Sequence, residues 1–87
     1  MKKFFTIYSL TDCSYCKKAI DLLDKKKLRF VVVAMDKNPE FVDKVKEDMR
    51  MKTVPIVIEH LDAGQIKIVG GFDDLENYVN LPEFSHD

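Results

Sequence analysis

Hydrophobic and polar positions follow two different periods along the chain, and the change of period predicts alternating strands and helices. Residues 4–8 are rich in aromatic and branched side chains, as is typical of a strand. Beyond the polar residues Ser9, Thr11 and Asp12, apolar positions recur at spacings of three and four, which predicts an amphipathic helix. The apolar face of this helix is expected to carry Cys16, Ala19, Ile20 and Leu23.

The middle of the chain predicts a second strand and a second helix. Residues 30–34 form a continuous apolar run, which is expected of a strand covered on both faces in a parallel arrangement. Asn38, Pro39 and Glu40 then supply a helix cap, a first-turn proline and a first-turn acid. The inner face of the second helix is expected to carry Val42, Val45 and Met49.

The last third of the chain predicts two strands and a short helix. A strand at residues 56–58, a turn at residues 62–64 and an antiparallel strand at residues 66–69 are expected from the apolar runs and the turn residues. A glycine pair at 70–71 precedes a final helix, which stops before Pro82.

The predicted element order is therefore β-α-β-α-β-β-α, and its fold class is α/β. One sheet with helices on both faces is the economical packing for this order. The 87 residues provide for one domain, spanning residues 1–87, and residues 83–87 are expected to be a frayed tail.

Composition and charge narrow the classes of function. The chain is 46% hydrophobic and carries 14 basic and 15 acidic residues, a net charge of −1. We therefore expect no binding of nucleic acid and no attraction to a membrane surface. The first residues lack the apolar stretch of a secretory signal, and a cytoplasmic location is expected. In that compartment, two cysteines favour catalysis or metal binding over a structural disulfide.

The two cysteines, Cys13 and Cys16, lie between the first strand and the first helix. A gap of two residues places both thiols on one helical turn, close enough to form a disulfide. Cys13 falls at the helix N-terminus, where free backbone N–H groups, those of Tyr15 and Cys16, can donate to a thiolate. Cys16 belongs to the apolar face, so we expect it to be more buried and less ionised. The pattern favours redox chemistry.

A metal site is the main alternative interpretation of the cysteine pair. One Cys-x-x-Cys segment can be half of a zinc site, but the only histidines are His60 and His86, without the spacing of a zinc finger. We expect no metal ligands here, and both histidines are interpreted as surface residues.

Two further clusters carry candidate binding residues. In Thr53-Val54-Pro55, a cis bond before the proline would turn the preceding backbone outward, where it can pair with an extended substrate. Residues 70–74, Gly-Gly-Phe-Asp-Asp, open the last helix. Its free N–H groups can donate to a ligand carboxylate, and an adjacent aspartate can accept from an ammonium, a combination that suits the end of an α-amino acid.

The three segments in this order resemble the glutaredoxin family, dithiol type, over most of the chain. The resemblance implies a thioredoxin-like fold with a four-stranded mixed sheet and three helices. It also implies reversible reduction of protein disulfides and glutathione mixed disulfides, with Cys13 as nucleophile, Cys16 as resolving cysteine and Pro55 in cis. The other residues that it places at glutathione are Tyr15, Thr53, Val54, Gly71, Phe72, Asp73 and Asp74. Thioredoxins proper and monothiol relatives are disfavoured, because their characteristic cysteine segments are absent.

Two positions depart from the family pattern. The family commonly has a basic residue near Leu10, where it meets a glutathione carboxylate, and Lys52 is the candidate to replace it. Ser14 stands where proline is common, as in glutaredoxins that hold a [2Fe–2S] cluster between two subunits with glutathione as co-ligand.

The expected function is a monomeric glutathione-dependent thiol–disulfide oxidoreductase, with glutathione as reductant. Its substrates are expected to be disulfide-bonded or glutathionylated proteins, among them ribonucleotide reductase by family analogy alone. One alternative is an iron–sulfur cluster carrier or sensor. Another is a glutaredoxin-like protein that thioredoxin reductase reduces.

Overall fold

The computed structural model describes residues 3–84, and the predicted order of strands and helices is confirmed. The elements are β1 (Phe4–Ser9), α1 (Ser14–Lys25), β2 (Phe30–Ala34), α2 (Pro39–Asp48), β3 (Ile56–His60), β4 (Ile66–Gly70) and α3 (Phe72–Val79). A single 3₁₀ turn, Asp62–Gly64, joins β3 to β4. No helix within these residues has both the length and the apolar character needed to cross a membrane.

The strands form one mixed sheet in the order β2-β1-β3-β4. β1 runs parallel to β2 and antiparallel to β3, so that Ile7 lies between Val32 and Val57. β4 pairs antiparallel with β3. This is the four-stranded mixed sheet that the family resemblance implied.

Helices cover both faces of the sheet. On one face, Leu23 of α1 and Leu75 of α3 are fully buried against Phe5, Ile7 and Val57 of the central strands. On the other face, α2 contributes Val45 to a smaller cluster with Met35 and Ile56. Each fully buried aliphatic side chain of this kind contributes about 2 kcal/mol of hydrophobic stabilisation. The larger cluster fixes α1 and α3 beside each other, which brings their N-terminal ends to the site described below.

The prediction that β2 is covered on both faces is wrong. β2 is an edge strand, and Val31 and Val32, whose side chains point to opposite faces, are 49% and 42% exposed. Parallel pairing with β1 is confirmed, but only one side of the strand has a neighbour. The apolar run therefore reflects a strand that is half covered rather than a central one.

The N-terminus of α2 has the predicted cap. The side-chain oxygen of Asn38 accepts a hydrogen bond from the N–H of Phe41 at 3.0 Å, and Pro39 is the first helical residue. The missing N–H of the proline costs nothing there, because that group has no partner within the helix.

Two predictions about surface and tail residues are corrected. His60 is not a simple surface residue: its Nε2 lies 2.7 Å from the Thr6 hydroxyl, and its ring stacks on Phe4 at 4.1 Å. Phe84 packs edge-on against Tyr78, with ring centroids 5.1 Å apart, so it does not belong to a frayed tail. Residues 85–87, which include His86, lie outside the described residues.

A buried carboxylate lies beneath the C-terminal half of α3. Glu59 of β3 is 1% exposed and accepts a hydrogen bond from the hydroxyl of Tyr78. The Nζ of Lys67, which pairs with Glu59 across the sheet, lies 5.5 Å from the Tyr78 ring centroid. Burial, followed by the hydrogen bond to Glu59 and its charge, raises the pKa of Tyr78 to about 12.

This raised pKa predicts a loss of stability at alkaline pH. The ordinary pKa of tyrosine is 10.0, so above that value the unfolded chain loses the Tyr78 proton while the folded protein keeps it. The contribution of Tyr78 is therefore complete below pH 10 and is lost as the pH rises towards 12. Urea unfolding between pH 9 and 12 measures it.

Two tyrosine variants isolate the effect. We expect Tyr78→Phe to unfold with a flatter pH dependence in that window, whereas Tyr15→Phe, which alters an exposed tyrosine, keeps the wild-type dependence. An identical alkaline decline in wild type and Tyr78→Phe would show that another group is responsible.

Candidate active site

The cysteine pair occupies the junction of β1 and α1. Cys13 and Cys16 are joined by a disulfide, with their Cα atoms 5.3 Å apart. Cys13 is the N-cap of α1, in an extended conformation with φ −148° and ψ 109°. Its sulfur accepts a hydrogen bond from the N–H of Cys16 at 3.2 Å. The sequence predicted donors at Tyr15 and Cys16. Among the described contacts, the N–H of Cys16 is the one that donates to the Cys13 sulfur.

The two sulfurs differ in accessibility, as predicted. Cys16 is 1% exposed and lies in the apolar face of α1, whereas Cys13 is partly exposed. An external disulfide can therefore reach the Cys13 sulfur, whereas the buried Cys16 sulfur can exchange only with the sulfur of Cys13. The same N–H that contacts the Cys13 sulfur in the disulfide is placed to donate to its thiolate after reduction.

A groove of about 250 Å³ has one wall formed by Tyr15, which lies between the two cysteines in the sequence, and neither cysteine is among its lining residues. Its lining brings together residues that are far apart in the sequence. They are Tyr15, Met51, Thr53, Val54, Pro55, Gly71, Phe72, Asp73 and Asp74. Eight of these residues are predicted binding residues, so the groove unites the three sequence segments.

Lys52 is the predicted binding residue that the groove leaves out. Its neighbours Met51 and Thr53 line the groove, whereas Lys52 is exposed and does not. Met51 is the lining residue that the sequence did not predict as a binding residue. Val54 lines the groove as well, and residues 52–54 form bends, so no regular alternation of side chains identifies Met51.

The segment before β3 contributes Thr53, Val54 and Pro55 to the groove. The Val54–Pro55 peptide bond is cis, as the family resemblance implied. Pro55 is buried and Thr53 is exposed, with Val54 between them half-buried against the α2 side of the sheet.

The two aspartates at the start of α3 have different roles. Asp74 accepts a hydrogen bond from the N–H of Gly71 at 3.2 Å, which caps the helix. Gly70 has φ +122°, and a side chain there would collide with the Asp74 carboxylate, so the glycine is required. Asp73 is exposed, and none of the contacts identified within residues 3–84 involves its carboxylate. Asp73 is therefore the carboxylate free to meet a ligand.

The lining of the groove is negatively charged. Asp73 and Asp74 contribute carboxylates, and none of the groove residues is a lysine, arginine or histidine. Lys18, the cation close to Tyr15, lies over the face of that ring, with its Nζ 4.8 Å from the centroid. The lining also includes the apolar residues Met51, Val54 and Pro55, and the rings of Tyr15 and Phe72 lie 6.1 Å apart. The groove suits an extended ligand with an amino or cationic group and an apolar neighbour.

Metal ligands do not converge within the described part of the chain. Across residues 3–84, no group of three or more His, Cys, Asp and Glu side chains is placed to hold a metal ion. A [2Fe–2S] cluster would therefore need ligands from a second subunit or from glutathione, and the cluster carrier or sensor remains an untested alternative to the reductase.

A family model matches the part of the chain that carries the cysteine pair and the cis-proline, and two sequence relatives match part of the chain. The groove residues at 71–74 lie outside the range of the family model. Residues 5–60 match the model of the Glutaredoxin family. Over 52 residues the chain is 35% identical to the "Glutaredoxin-like protein NrdH" of Lactococcus lactis subsp. cremoris strain MG1363, covering 60% of this chain and 71% of the relative. The protein of the same name from L. lactis subsp. lactis strain IL1403 matches equally.

Solved structures confirm the thioredoxin-like fold. A buckwheat glutaredoxin in complex with glutathione superposes with a TM-score of 0.68 at 23% identity, over 86% of this chain and 66% of that one. A Brucella melitensis glutaredoxin has a TM-score of 0.65 at 25% identity, over 87% and 77%. The Escherichia coli NrdH-redoxin, described as glutaredoxin-like with a thioredoxin-like activity profile, has a TM-score of 0.60 at 20% identity, over 90% and 97%.

Proposed function

The chain belongs to the glutaredoxin family, and on that premise we propose that it reduces protein disulfides through the dithiol of Cys13 and Cys16. The observation that carries this proposal is the asymmetry of the pair. The accessible Cys13 sulfur accepts a hydrogen bond from the first turn of α1, and the Cys16 sulfur is buried behind it. That arrangement separates an attacking sulfur from a resolving one.

The reaction proceeds by two thiol–disulfide exchanges. The Cys13 thiolate attacks one sulfur of the substrate disulfide, forms a mixed disulfide and releases the other substrate sulfur as a thiolate. The thiolate of Cys16 then attacks the Cys13 sulfur and releases the second substrate sulfur. Two electrons have passed to the substrate, and the protein is left with its Cys13–Cys16 disulfide.

We infer that a flavoprotein of the thioredoxin reductase type returns this disulfide to the dithiol. Glutathione carries two carboxylates and one ammonium at pH 7, whereas the groove offers two carboxylates and no cationic side chain. Leu10 is not basic and Lys52 lies outside the lining, so one glutathione carboxylate lacks its usual counter-charge. The NrdH relatives, and the thioredoxin-like activity profile of the E. coli protein, support the same donor.

Glutathione is the second candidate donor. The observation in its favour is the exposed Asp73 carboxylate, which lines the same groove as Val54 and suits the amino end of glutathione. With either donor, we propose protein acceptors such as ribonucleotide reductase, and a monomeric state. We propose a cytoplasmic location because a dithiol of this kind needs a reducing compartment.

The two donors are distinguished by turnover on one protein disulfide substrate. We expect thioredoxin reductase with NADPH to sustain turnover, and glutathione with glutathione reductase to sustain much less. Equal or faster turnover with glutathione would contradict the inferred donor. Absence of turnover with both donors would contradict the proposed function.

A matched pair of variants tests the electrostatic reason for that preference. Met51→Lys adds a cation to the groove, and Met51→Gln makes a similar loss of apolar side chain without the charge. If the missing cation limits glutathione, Met51→Lys should exceed Met51→Gln roughly fivefold in glutathione-dependent turnover, as a surface ion pair of about 1 kcal/mol gives. Equal glutathione-dependent turnover in the two variants would show that the missing cation does not limit the use of glutathione.

A further inference from the structure

The loop that leads into Cys13 is fastened by a side chain from a distant part of the chain. Thr11 lies two residues before Cys13, and both its backbone N–H and its hydroxyl donate hydrogen bonds to the carboxylate of Asp36. Each bond is 2.8 Å long, and each uses a different carboxylate oxygen. A carboxylate that accepts two bonds in this way fixes the position of both donors.

Asp36 itself is held in place by β2 and by the turn into α2. The N–H of Met35 donates to the carbonyl of Ser9 at 2.9 Å, which continues the pairing of β1 and β2. The N–H of Asn38, the cap of α2, donates to the Met35 carbonyl at 3.1 Å. The bonds from Thr11 to Asp36 thus extend the contact between the two strands into the loop before α1.

The ionised form of Asp36 is the form that makes these contacts. The backbone hydrogen bond from Thr11, followed by that from its hydroxyl, holds the pKa of Asp36 below its usual range. The carboxylate therefore remains an acceptor throughout the neutral range of pH.

The conformation of Cys13 depends on where this loop ends. As N-cap, Cys13 is extended, which lets its sulfur accept from the Cys16 N–H, while its carbonyl accepts from the N–H of Lys17 at 3.2 Å. A loop free to shift at Thr11 would let Cys13 leave this conformation, and its sulfur would lose the backbone donor.

We propose that Asp36 is a positioning residue for Cys13, which holds Thr11 and so keeps the Cys13 sulfur at the N-terminus of α1. This inference rests on the proposed function in one respect only, that Cys13 is the reacting sulfur. The carboxylate of Asp36 belongs to no part of the groove lining and acts through Thr11.

When Asp36 is replaced, a positioning role and a simple charge effect predict opposite shifts in the pKa of the Cys13 thiol. Asp36 is an anion, so its charge alone opposes a thiolate nearby, and removing that charge would lower the pKa of the Cys13 thiol. Loss of positioning would instead raise that pKa, because the thiolate loses the Cys16 N–H. The sign of the shift therefore separates the two roles.

The test measures the alkylation rate of Cys13 against pH in the reduced full-length protein, in a Cys16→Ser background with one thiol. For Asp36→Ala we expect the thiol pKa to rise by about half a unit, which slows alkylation about threefold at a pH that lies one unit or more below the wild-type midpoint. Asp36→Asn retains an acceptor for the Thr11 N–H and a polar partner for its hydroxyl, so its thiol pKa should not rise. Thr11→Val keeps only the backbone hydrogen bond to Asp36, so its Cys13 thiol pKa should lie between those of wild type and Asp36→Ala.

Asp43→Ala is the matched control, because it removes an exposed carboxylate from α2 that does not contact the loop. It should leave the pH profile unchanged. A pKa that falls or stays constant in both Asp36→Ala and Thr11→Val would overturn the inference. Alkylation reports on the thiol whether or not the protein reduces disulfides, so this failure is distinct from absent turnover of the wild type.

Discussion

Cys13→Ser is expected to abolish disulfide reduction, with a loss of roughly a thousandfold or more in turnover. A serine hydroxyl is not ionised near neutral pH and cannot form the mixed disulfide on which both exchanges depend. The measurement is steady-state reduction of a protein disulfide with saturating reductant. Retention of turnover would mean that Cys13 is not the nucleophile.

Ser14→Ala provides the control for Cys13→Ser. Ser14 is the first residue of α1, lies beside the nucleophile and is exposed, yet it contributes no atom to the exchange. Its replacement should leave turnover within a few-fold of wild type. A comparable loss in Ser14→Ala would indicate that changes at this turn act on the fold rather than on the sulfur chemistry.

Cys16→Ser is expected to stop the reaction at the mixed disulfide. Cys16 is buried behind Cys13, so it takes no part in the first attack, but it supplies the sulfur that releases the substrate. Reduction of protein disulfides should fall on the order of a hundredfold. A covalent complex of protein and substrate, linked through Cys13, should accumulate and be visible by intact mass under non-reducing conditions.

The same variant separates two classes of substrate. Cleavage of a glutathionylated protein needs Cys13 alone when an external thiol resolves the intermediate, so Cys16→Ser should retain that activity if a small thiol is supplied. If Cys16→Ser reduced protein disulfides at the wild-type rate without trapping a complex, the resolving role of Cys16 would be wrong.

Features that depend on local sequence could be predicted. The spacing of Cys16, Ala19 and Leu23 sets the buried face of α1 and places Cys13 at its cap, because a helix repeats every 3.6 residues. The cap of α2 at Asn38 was predictable because its side-chain oxygen can accept from a free helix N–H, and the turns at Gly64 and Gly70 because glycine permits positive φ. Local rules therefore identified the sulfurs and the ends of the elements that carry them.

Features that depend on the arrangement of distant segments were not predicted. An apolar run such as residues 30–34 does not specify the order of strands in the sheet, so the exposed edge at Val31 and Val32 was missed. Thr11 and Asp36 are 25 residues apart, and Glu59 and Tyr78 are 19 apart. No pattern of sequence spacing predicts either contact, because each joins two residues that only the folded chain brings together.

The composition of the groove falls between these two cases. The family resemblance named most of its lining, but the substitution of Lys52 for the basic residue absent at position 10 was an argument from charge alone. Met51 and Thr53 line the groove, whereas Lys52 between them is exposed and does not. Charge alone therefore did not identify which residue of this segment lines the groove.

The proposed reaction requires that the Cys13 sulfur be an anion held by the first turn of α1. The direct measurement is the pH dependence of alkylation of the reduced wild-type protein, with the modified residue located by mass spectrometry. We expect modification at Cys13 with a midpoint well below the value of about 8.5 for an unperturbed thiol. A midpoint near that value, or modification at Cys16 in preference to Cys13, would contradict the requirement that Cys13 carries the stabilised thiolate.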